Sequence, residues 1–200
     1  MEKSESRQTV SVSKVWNLPN ILTYGRIFAV PIVAGLLMWG GNNARWAALF
    51  IFVLAAITDF FDGYLARKWQ QQSSLGKMLD PIADKVLVAV VLLVLCGDQI
   101  LLGGHVWAAI IILAREVLVS GLREFLGQLR VSVPVTQIAK WKTTVQLVAI
   151  GFLIAGPAGE TYLPGTTYVG IVGLWIAAGL TLYTGYDYFR AGLRHVVDEE

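Results

Sequence analysis

Six apolar segments of about 20 residues, the length that a helix needs to cross a bilayer, occupy most of the chain. Hydrophobic residues make up 56% of the 200 residues, and the mean hydropathy is +0.60. This composition is typical of a membrane-embedded protein rather than a water-soluble domain. We therefore predict an all-α membrane protein with six transmembrane helices. The helices are expected at approximately residues 20–39, 45–69, 77–101, 106–126, 136–155 and 168–189.

The charges of the connecting segments predict the orientation of this bundle. Half of the 16 Lys and Arg residues lie in residues 68–77 and 127–136 or on the flanking helix ends, whereas residues 40–44, 96–105 and 157–167 contain none. Because basic connections stay in the cytoplasm, both termini and the two basic connections are expected on that side.

Two parts of the chain are expected to relate differently to the membrane. Residues 1–18 are largely polar, and the KVWNL stretch at their end suits a short amphipathic helix along the membrane surface. These residues are expected to form a cytoplasmic N-terminal segment. Residues 19–200 are expected to form one transmembrane domain.

Four aspartates interrupt the apolar pattern where the second segment ends and the third begins. Asp59 and Asp62 are three residues apart and Asp80 and Asp84 are four apart, so each pair lies on one helix face. The polar residues between the pairs suit a turn that would bring the two helix ends together. Carboxylate oxygens are hard ligands, so this cluster favours Mg²⁺ or Mn²⁺ over zinc.

The expected helix directions place these acids at matching depths. At 1.5 Å per residue, Asp59 lies deeper than Asp62 by about 4.5 Å, and Asp84 lies deeper than Asp80 by about 6 Å. Neighbouring helices pack about 8–10 Å apart, a gap that four carboxylates can close around one or two cations. The alternative is a structural salt-bridge network between the acids and the nearby bases Arg67, Lys68, Lys77 and Lys85.

The spacing of the acids resembles the signature of the CDP-alcohol phosphotransferase family, Asp-x2-Asp-Gly-x2-Ala-Arg-x8-Gly-x3-Asp-x3-Asp. Every fixed position is matched, by Asp59, Asp62, Gly63, Ala66, Arg67, Gly76, Asp80 and Asp84. The stretches LPNILTYGRI, AREVLVSGLREF and KWKTTVQ are similar to the bacterial branch that uses glycerol 3-phosphate. One departure from that branch is Ala139, where glycine is expected before Lys140.

The resemblance implies an enzyme that transfers the phosphatidyl group of CDP-diacylglycerol to sn-glycerol 3-phosphate, giving phosphatidylglycerol phosphate and CMP. It also implies two Mg²⁺ or Mn²⁺ ions, a homodimer, and a site on the cytoplasmic face of the bacterial inner membrane. No nucleic-acid partner is expected. The alternative within the family is a sister enzyme that uses an inositol phosphate, serine or phosphatidylglycerol as acceptor.

The family's roles can be carried onto matching residues. The metal ligands would be Asp59, Asp62, Asp80 and Asp84, and Asp84 would also act as the general base. The residues that bind CDP-diacylglycerol would be Asn20, Thr23, Gly63, Arg67, Ser73 and Gly76. For Asn20, a helix N-cap after Pro19 is an equally good interpretation.

An acceptor that carries a phosphate requires cations, and three residues are expected to supply them: Arg115, Arg123 and Lys140. The two arginines are eight residues apart, on broadly one face of the fourth helix. Glu116 and Glu124 would orient them. Lys142 is instead expected to extend towards lipid headgroups.

Two hypotheses outside this enzyme family also fit part of the sequence pattern. An ion-coupled transporter places acids within its spans, although those acids usually lie near the midplane of two repeated halves, and no repeat is visible here. A non-catalytic membrane scaffold would not need the aspartate spacing. Small residues in the last segment would permit either a dimer contact or close packing within one bundle. They are Gly170, Gly173, Ala177 and Ala178.

Overall fold

The computed structural model describes the backbone of residues 18–69, 74–128 and 137–197, and the side chains of residues 20–59, 78–79, 81–127, 138 and 141–190. Within these ranges the chain forms six α-helices and a short 3-10 helix, Gly103–His105, and no strand. The α-helices are α1 (Leu18–Trp39), α2 (Asn42–Trp69), α3 (Ser74–Gly97), α4 (Val106–Gln128), α5 (Gln137–Glu160) and α6 (Thr166–Val197). The predicted all-α fold is confirmed, and each predicted apolar segment corresponds to one helix.

The helices combine a buried core with an apolar outer surface. Among the described residues, four segments are long and apolar enough to cross a membrane: Asn20–Trp39, Gly103–Gly127, Trp141–Glu160 and Thr166–Arg190. Large apolar side chains on several helices are exposed, including Phe28, Phe50, Leu93, Val117 and Leu118. Water-soluble proteins rarely expose so much apolar surface. These features are those of a multi-pass membrane protein.

The order of helix packing separates the bundle into two groups. α1 packs against both α2 and α3, whereas α6 packs against both α4 and α5, and the contact between α2 and α5 joins the groups. α3 and α4 are consecutive in the chain but contact each other only sparsely. Side chains from all six helices form one core, which includes Leu37, Phe52, Leu92, Ile112, Ile150 and Leu174.

Small residues allow α5 and α6 to approach closely. A Cβ atom added at Gly170 would lie 2.8 Å from the Leu153 side chain, and one at Gly173 would lie 3.0 Å from Ala149. Ala177 and Ala178 are also buried. The small residues of α6 therefore pack against α5 within the chain, which favours this interpretation of their spacing over a dimer contact.

The third helix ends earlier than predicted. α3 stops at Gly97 rather than near residue 101. Gln99 has a φ of 60°, a left-handed conformation that a continuing helix cannot contain. The turn places Asp98 beside Arg45, and the two side chains form an ion pair.

The fifth helix continues past the predicted end at residue 155. It bends at Gly156, where φ is 40°, and resumes to Glu160. Glycine tolerates this backbone conformation at little cost. At the bend, Nη1 of Arg45 donates a hydrogen bond to the carbonyl oxygen of Ile154 at 3.2 Å. Arg45 thus connects the start of α2 to the end of α3 and to the bend in α5.

Candidate functional site

The predicted acidic pairs lie on the last part of α2 and the first part of α3. The side chains of Asp59 and Asp84 are described, whereas those of Asp62 and Asp80 lie outside the described residues. Five other predicted site residues also lie outside the part of the chain whose side-chain surroundings are described: Gly63, Arg67, Ser73, Gly76 and Lys140.

Asp59 and Asp84 come together on a single guanidinium group from α1. Nη1 of Arg26 lies 2.8 Å from Oδ1 of Asp59 and 2.5 Å from Oδ1 of Asp84. The side chain of Arg26 is 1% exposed, whereas those of Asp59 and Asp84 are 44% and 42% exposed. The arginine therefore approaches the acids from the interior, and the acids remain accessible from outside.

This pairing differs from the salt-bridge network considered above. Nζ of Lys85 donates to the carbonyl oxygen of Pro81 at 2.9 Å. The other bases of that network, Arg67, Lys68 and Lys77, lie outside the described side chains. Arg26 was not predicted for the site. A charged residue within an apolar span is itself a signal of function, and Arg26 could have been found on that ground.

The two carboxylates suit a divalent cation. They share one monovalent guanidinium, and their hard oxygens already converge on that one cationic group. Among the described side chains, no group of three or more His, Cys, Asp or Glu residues forms. A fuller coordination shell would need Asp62 and Asp80, as the sequence predicts.

Two residues predicted to bind nucleotide share a stripe of α1 with Arg26. Asn20, Thr23 and Arg26 follow at intervals of three residues, and their exposed fractions are 2%, 1% and 2%. α1 begins at Leu18, so Asn20 lies within its first turn rather than at an N-cap. Polar side chains on an apolar helix thus face the interior, on the same side of α1 as Arg26.

A second cluster of charged residues lies between α4, α5 and α6. Oε1 of Glu116 accepts a hydrogen bond from Nζ of Lys142 and lies 3.4 Å from Nη1 of Arg115. Nη2 of Arg115 donates to Oγ1 of Thr184 at 2.9 Å. The Lys142 side chain is 5% exposed. The prediction that Lys142 extends towards lipid headgroups is therefore wrong, because Glu116 holds its ammonium group inside the bundle.

Both arginines of α4 lie against α6. Nη2 of Arg123 donates to the hydroxyl of Tyr188 at 3.2 Å, and its guanidinium carbon lies 5.4 Å from the centre of the Tyr188 ring. Gly185 leaves room for Arg115, since a Cβ atom there would lie 3.1 Å from Arg115 Cγ. Of the two glutamates expected to orient the arginines, Glu116 contacts Arg115. Glu124 is exposed.

An apolar groove of about 680 Å³ lies between α2 and α5. Its walls include Phe52 and Ala56 from α2 and Gly151 from α5, and Tyr162 of the α5–α6 connection lies at its far end. Ala56 is three residues before Asp59, so one end of the groove is about one turn from the acids. A groove of this size and lining suits a hydrocarbon chain.

The chain is similar to proteins of known name over most of its length. Residues 16–183 match the family model described as CDP-alcohol phosphatidyltransferase. A protein from Rickettsia typhi is 50% identical over 88% of this chain and 96% of its own length. Proteins from Cereibacter sphaeroides and Shigella flexneri serotype 5b are 42% and 37% identical, each over 92% of this chain and 99% of its own length. All three are named CDP-diacylglycerol–glycerol-3-phosphate 3-phosphatidyltransferase.

Replacing Glu116 by glutamine should lower the free energy of unfolding, because Lys142 and Arg115 then lose the carboxylate that they share. Breaking one side of a buried ion pair costs about 3 kcal/mol. The Glu116→Gln/Lys142→Met double variant should recover most of this loss, since methionine leaves no buried charge. Denaturant unfolding of the purified protein in detergent measures both effects.

Glu124→Gln on the same helix is the matched control, because the Glu124 side chain is exposed. It should unfold like the wild type. A double variant no more stable than Glu116→Gln alone would show that the stability of buried Lys142 does not depend on Glu116.

Proposed function

The chain belongs to the CDP-alcohol phosphatidyltransferase family, and from this premise we propose that it transfers the phosphatidyl group of CDP-diacylglycerol to sn-glycerol 3-phosphate. The products are phosphatidylglycerol phosphate and CMP, and the first of these leads to phosphatidylglycerol and cardiolipin. The observation that carries the proposal is the match, along nearly the whole chain, to relatives with that name. The meeting of Asp59 and Asp84, from the two ends of the family signature, supports it.

Four carboxylates hold two Mg²⁺ or Mn²⁺ ions in this proposal: Asp59, Asp62, Asp80 and Asp84. Bound divalent ions would neutralise the anionic oxygens around the attacked phosphorus. Asp84 takes the proton of the acceptor hydroxyl, which requires hydrogen-bond reach of that oxygen. The hydroxyl oxygen then bonds to the phosphorus that carries diacylglycerol, and the bond from that phosphorus to CMP breaks.

The nucleotide and its diphosphate lie beside the acids. Arg67 offers a planar set of donors suited to a diphosphate. Gly63 and Gly76 let the backbone approach the nucleotide closely, and Ser73 contacts it. Asn20 and Thr23 contribute from the buried polar stripe of α1.

The phosphate of the acceptor binds at the cationic cluster of α4 and α5. Arg115 and Arg123 lie two turns apart against α6, where Thr184 and Tyr188 hold their guanidinium groups. Lys140 completes the proposed set, and Lys142 adds a positive charge behind it. An anionic phosphate suits this cluster, whereas serine would gain little from it.

The apolar groove between α2 and α5 accommodates one acyl chain of CDP-diacylglycerol. Its end near Ala56 lies about one turn from Asp59, so a lipid whose diphosphate reaches the acids can place a chain in the groove. The remaining chain would lie in the surrounding bilayer.

All six helices span the bacterial inner membrane in this proposal, with both termini and the acids on the cytoplasmic side. The alternation of basic and neutral connections supports this orientation. Two chains form a homodimer. Its contact uses a surface other than the small residues of α6, because those pack against α5.

Purified protein with Mg²⁺ should release CMP from CDP-diacylglycerol when sn-glycerol 3-phosphate is present. Serine, an inositol phosphate and phosphatidylglycerol should each give only background release. Asp84→Asn should lower turnover at least about 100-fold, since it removes the proposed base. Asp187→Asn, at an exposed carboxylate of α6, is the control and should keep normal turnover. Release with another acceptor instead would assign the chain to a sister enzyme, and release in chelator would contradict the metal site.

Replacing Arg123 by alanine should raise KM for sn-glycerol 3-phosphate by about 10-fold or more, the effect of losing one charge-assisted hydrogen bond. KM for CDP-diacylglycerol should change less than about threefold, since Arg123 belongs to the other cluster and distant sites act nearly independently. Steady-state kinetics with each substrate varied in turn measures both constants. Arg190→Ala removes an exposed charge from α6 and controls for general electrostatics. Equal effects of Arg123→Ala on both constants would count against the acceptor site.

Replacing Ala56 by phenylalanine should narrow the apolar groove and disfavour long acyl chains. We expect kcat/KM for a dioleoyl CDP-lipid to fall about 10-fold, while a dihexanoyl CDP-lipid loses less than about threefold. Phe50→Ala, at an exposed residue of α2 outside the groove lining, is the control. Equal losses for both lipids would place the acyl chain elsewhere.

A further inference from the structure

Arg26 carries a buried charge, and the proposed reaction assigns it no role. Its Nη1 atom contacts Oδ1 of both Asp59 and Asp84, and the side chain is 1% exposed. The contact joins α1 to the two helices that carry the family signature. The same two carboxylates are expected to ligate divalent cations.

We propose that Arg26 competes with a divalent cation for Asp59 and Asp84, and thereby couples metal binding to the binding of the CDP diphosphate. The coupling to diphosphate rests on the proposed function, whereas the competition itself rests only on the contacts of Arg26. Arg26 is a positioning residue in this account, since it acts through the two aspartates.

The geometry favours the competition. Mg²⁺ binds oxygen ligands at about 2.0–2.1 Å, and Nη1 of Arg26 already lies 2.8 and 2.5 Å from an oxygen of each carboxylate. A metal ion on the same two carboxylates would lie close to the guanidinium, so the two cations repel each other, and the burial of Arg26 limits screening of that repulsion by water. Metal affinity in the absence of nucleotide is therefore lower than two free carboxylates would give.

A diphosphate changes this balance. It can approach the exposed carboxylates of Asp59 and Asp84, and Nη1 of Arg26 lies within 2.8 Å of both. Its oxygens would attract the positive charge of Arg26 away from the carboxylates and would also complete the ligands of a metal ion. Both effects favour metal binding, so nucleotide and metal should each raise the affinity of the other by the same factor.

The competition is tested with Mn²⁺ alone, on the purified full-length protein. Electron paramagnetic resonance of free Mn²⁺ gives the dissociation constant without any measurement of activity. Arg26→Gln should bind Mn²⁺ about 10-fold more tightly than the wild type, a change typical of coupled sites. An equal or weaker affinity in Arg26→Gln would overturn the proposal.

The coupling is tested by repeating the titration with saturating CDP. The wild-type affinity for Mn²⁺ should rise about 10-fold or more, and that of Arg26→Gln less than about threefold. Arg26→Lys retains the positive charge and should restore most of the wild-type coupling. Wild-type coupling below about threefold would overturn the proposal whether or not a variant folds.

Arg45→Gln is the matched control. It removes another buried arginine from an ion pair with an aspartate, but Arg45 lies 14 residues before Asp59, about 21 Å along α2. It should lower thermal stability while leaving Mn²⁺ affinity and coupling unchanged. The same change in Arg45→Gln as in Arg26→Gln would assign the effect to lost stability and overturn the proposal.

Two failures can be told apart. Wild-type protein that binds no CDP would overturn the proposed function and the coupling to diphosphate, whereas the nucleotide-free titration alone decides the competition. Protein that couples Mn²⁺ to CDP but releases no CMP with any acceptor would overturn only the proposed reaction.

Discussion

The burial of Arg26 against Asp59 and Asp84 is the interaction on which the rest of the site depends. An unpaired charge inside an apolar bundle is costly, so each partner needs the others to stay in place. The contact fixes α1 relative to α2 and α3, because the three side chains come from three helices. Two carboxylates are thereby kept close together at the point where a cation is proposed to bind. Packing of apolar side chains alone would not select this register.

Other charged side chains also join helices elsewhere in the bundle. Arg45 joins the start of α2 to the end of α3 through Asp98, and to the bend of α5 through the Ile154 carbonyl. Glu116 joins α4 to α5 through Lys142. In a lipid bilayer the hydrophobic effect does not drive helices together, so helix association depends on packing and polar contacts. Each of these ion pairs adds such a contact between two helices. These charges therefore specify which helices are neighbours.

The sequence predicted the positions of the helices well and the side-chain contacts between helices poorly. Runs of apolar residues located all six helices, because bilayer thickness and helix rise set a length that can be counted. The spacing of the aspartates predicted the acidic pairs, because residues three or four apart on a helix share a face. Arg26 was missed because its partners lie 33 and 58 residues away, and Lys142 was misassigned because Glu116 lies 26 residues before it. The bend at Gly156 was also missed, since Pro157 alone indicates an end and not a continuation.

The separation of the two charged clusters explains how one apolar bundle can hold both. The first cluster, Arg26 with Asp59 and Asp84, comes from α1, α2 and α3. The second cluster, Arg115, Arg123 and Lys142 with Glu116, comes from α4 and α5. If arginines such as Arg115 could reach the aspartates directly, the opposite charges would pair and neither cluster could bind a substrate. Among the described side chains, each cluster instead contains one residue of the opposite sign, which reduces repulsion among its members. The acidic cluster is the one proposed to hold metal ions, and the basic cluster is the one proposed to hold a phosphate. Because α3 and α4 contact each other only sparsely, the two charges stay distinct although they follow one another in the chain.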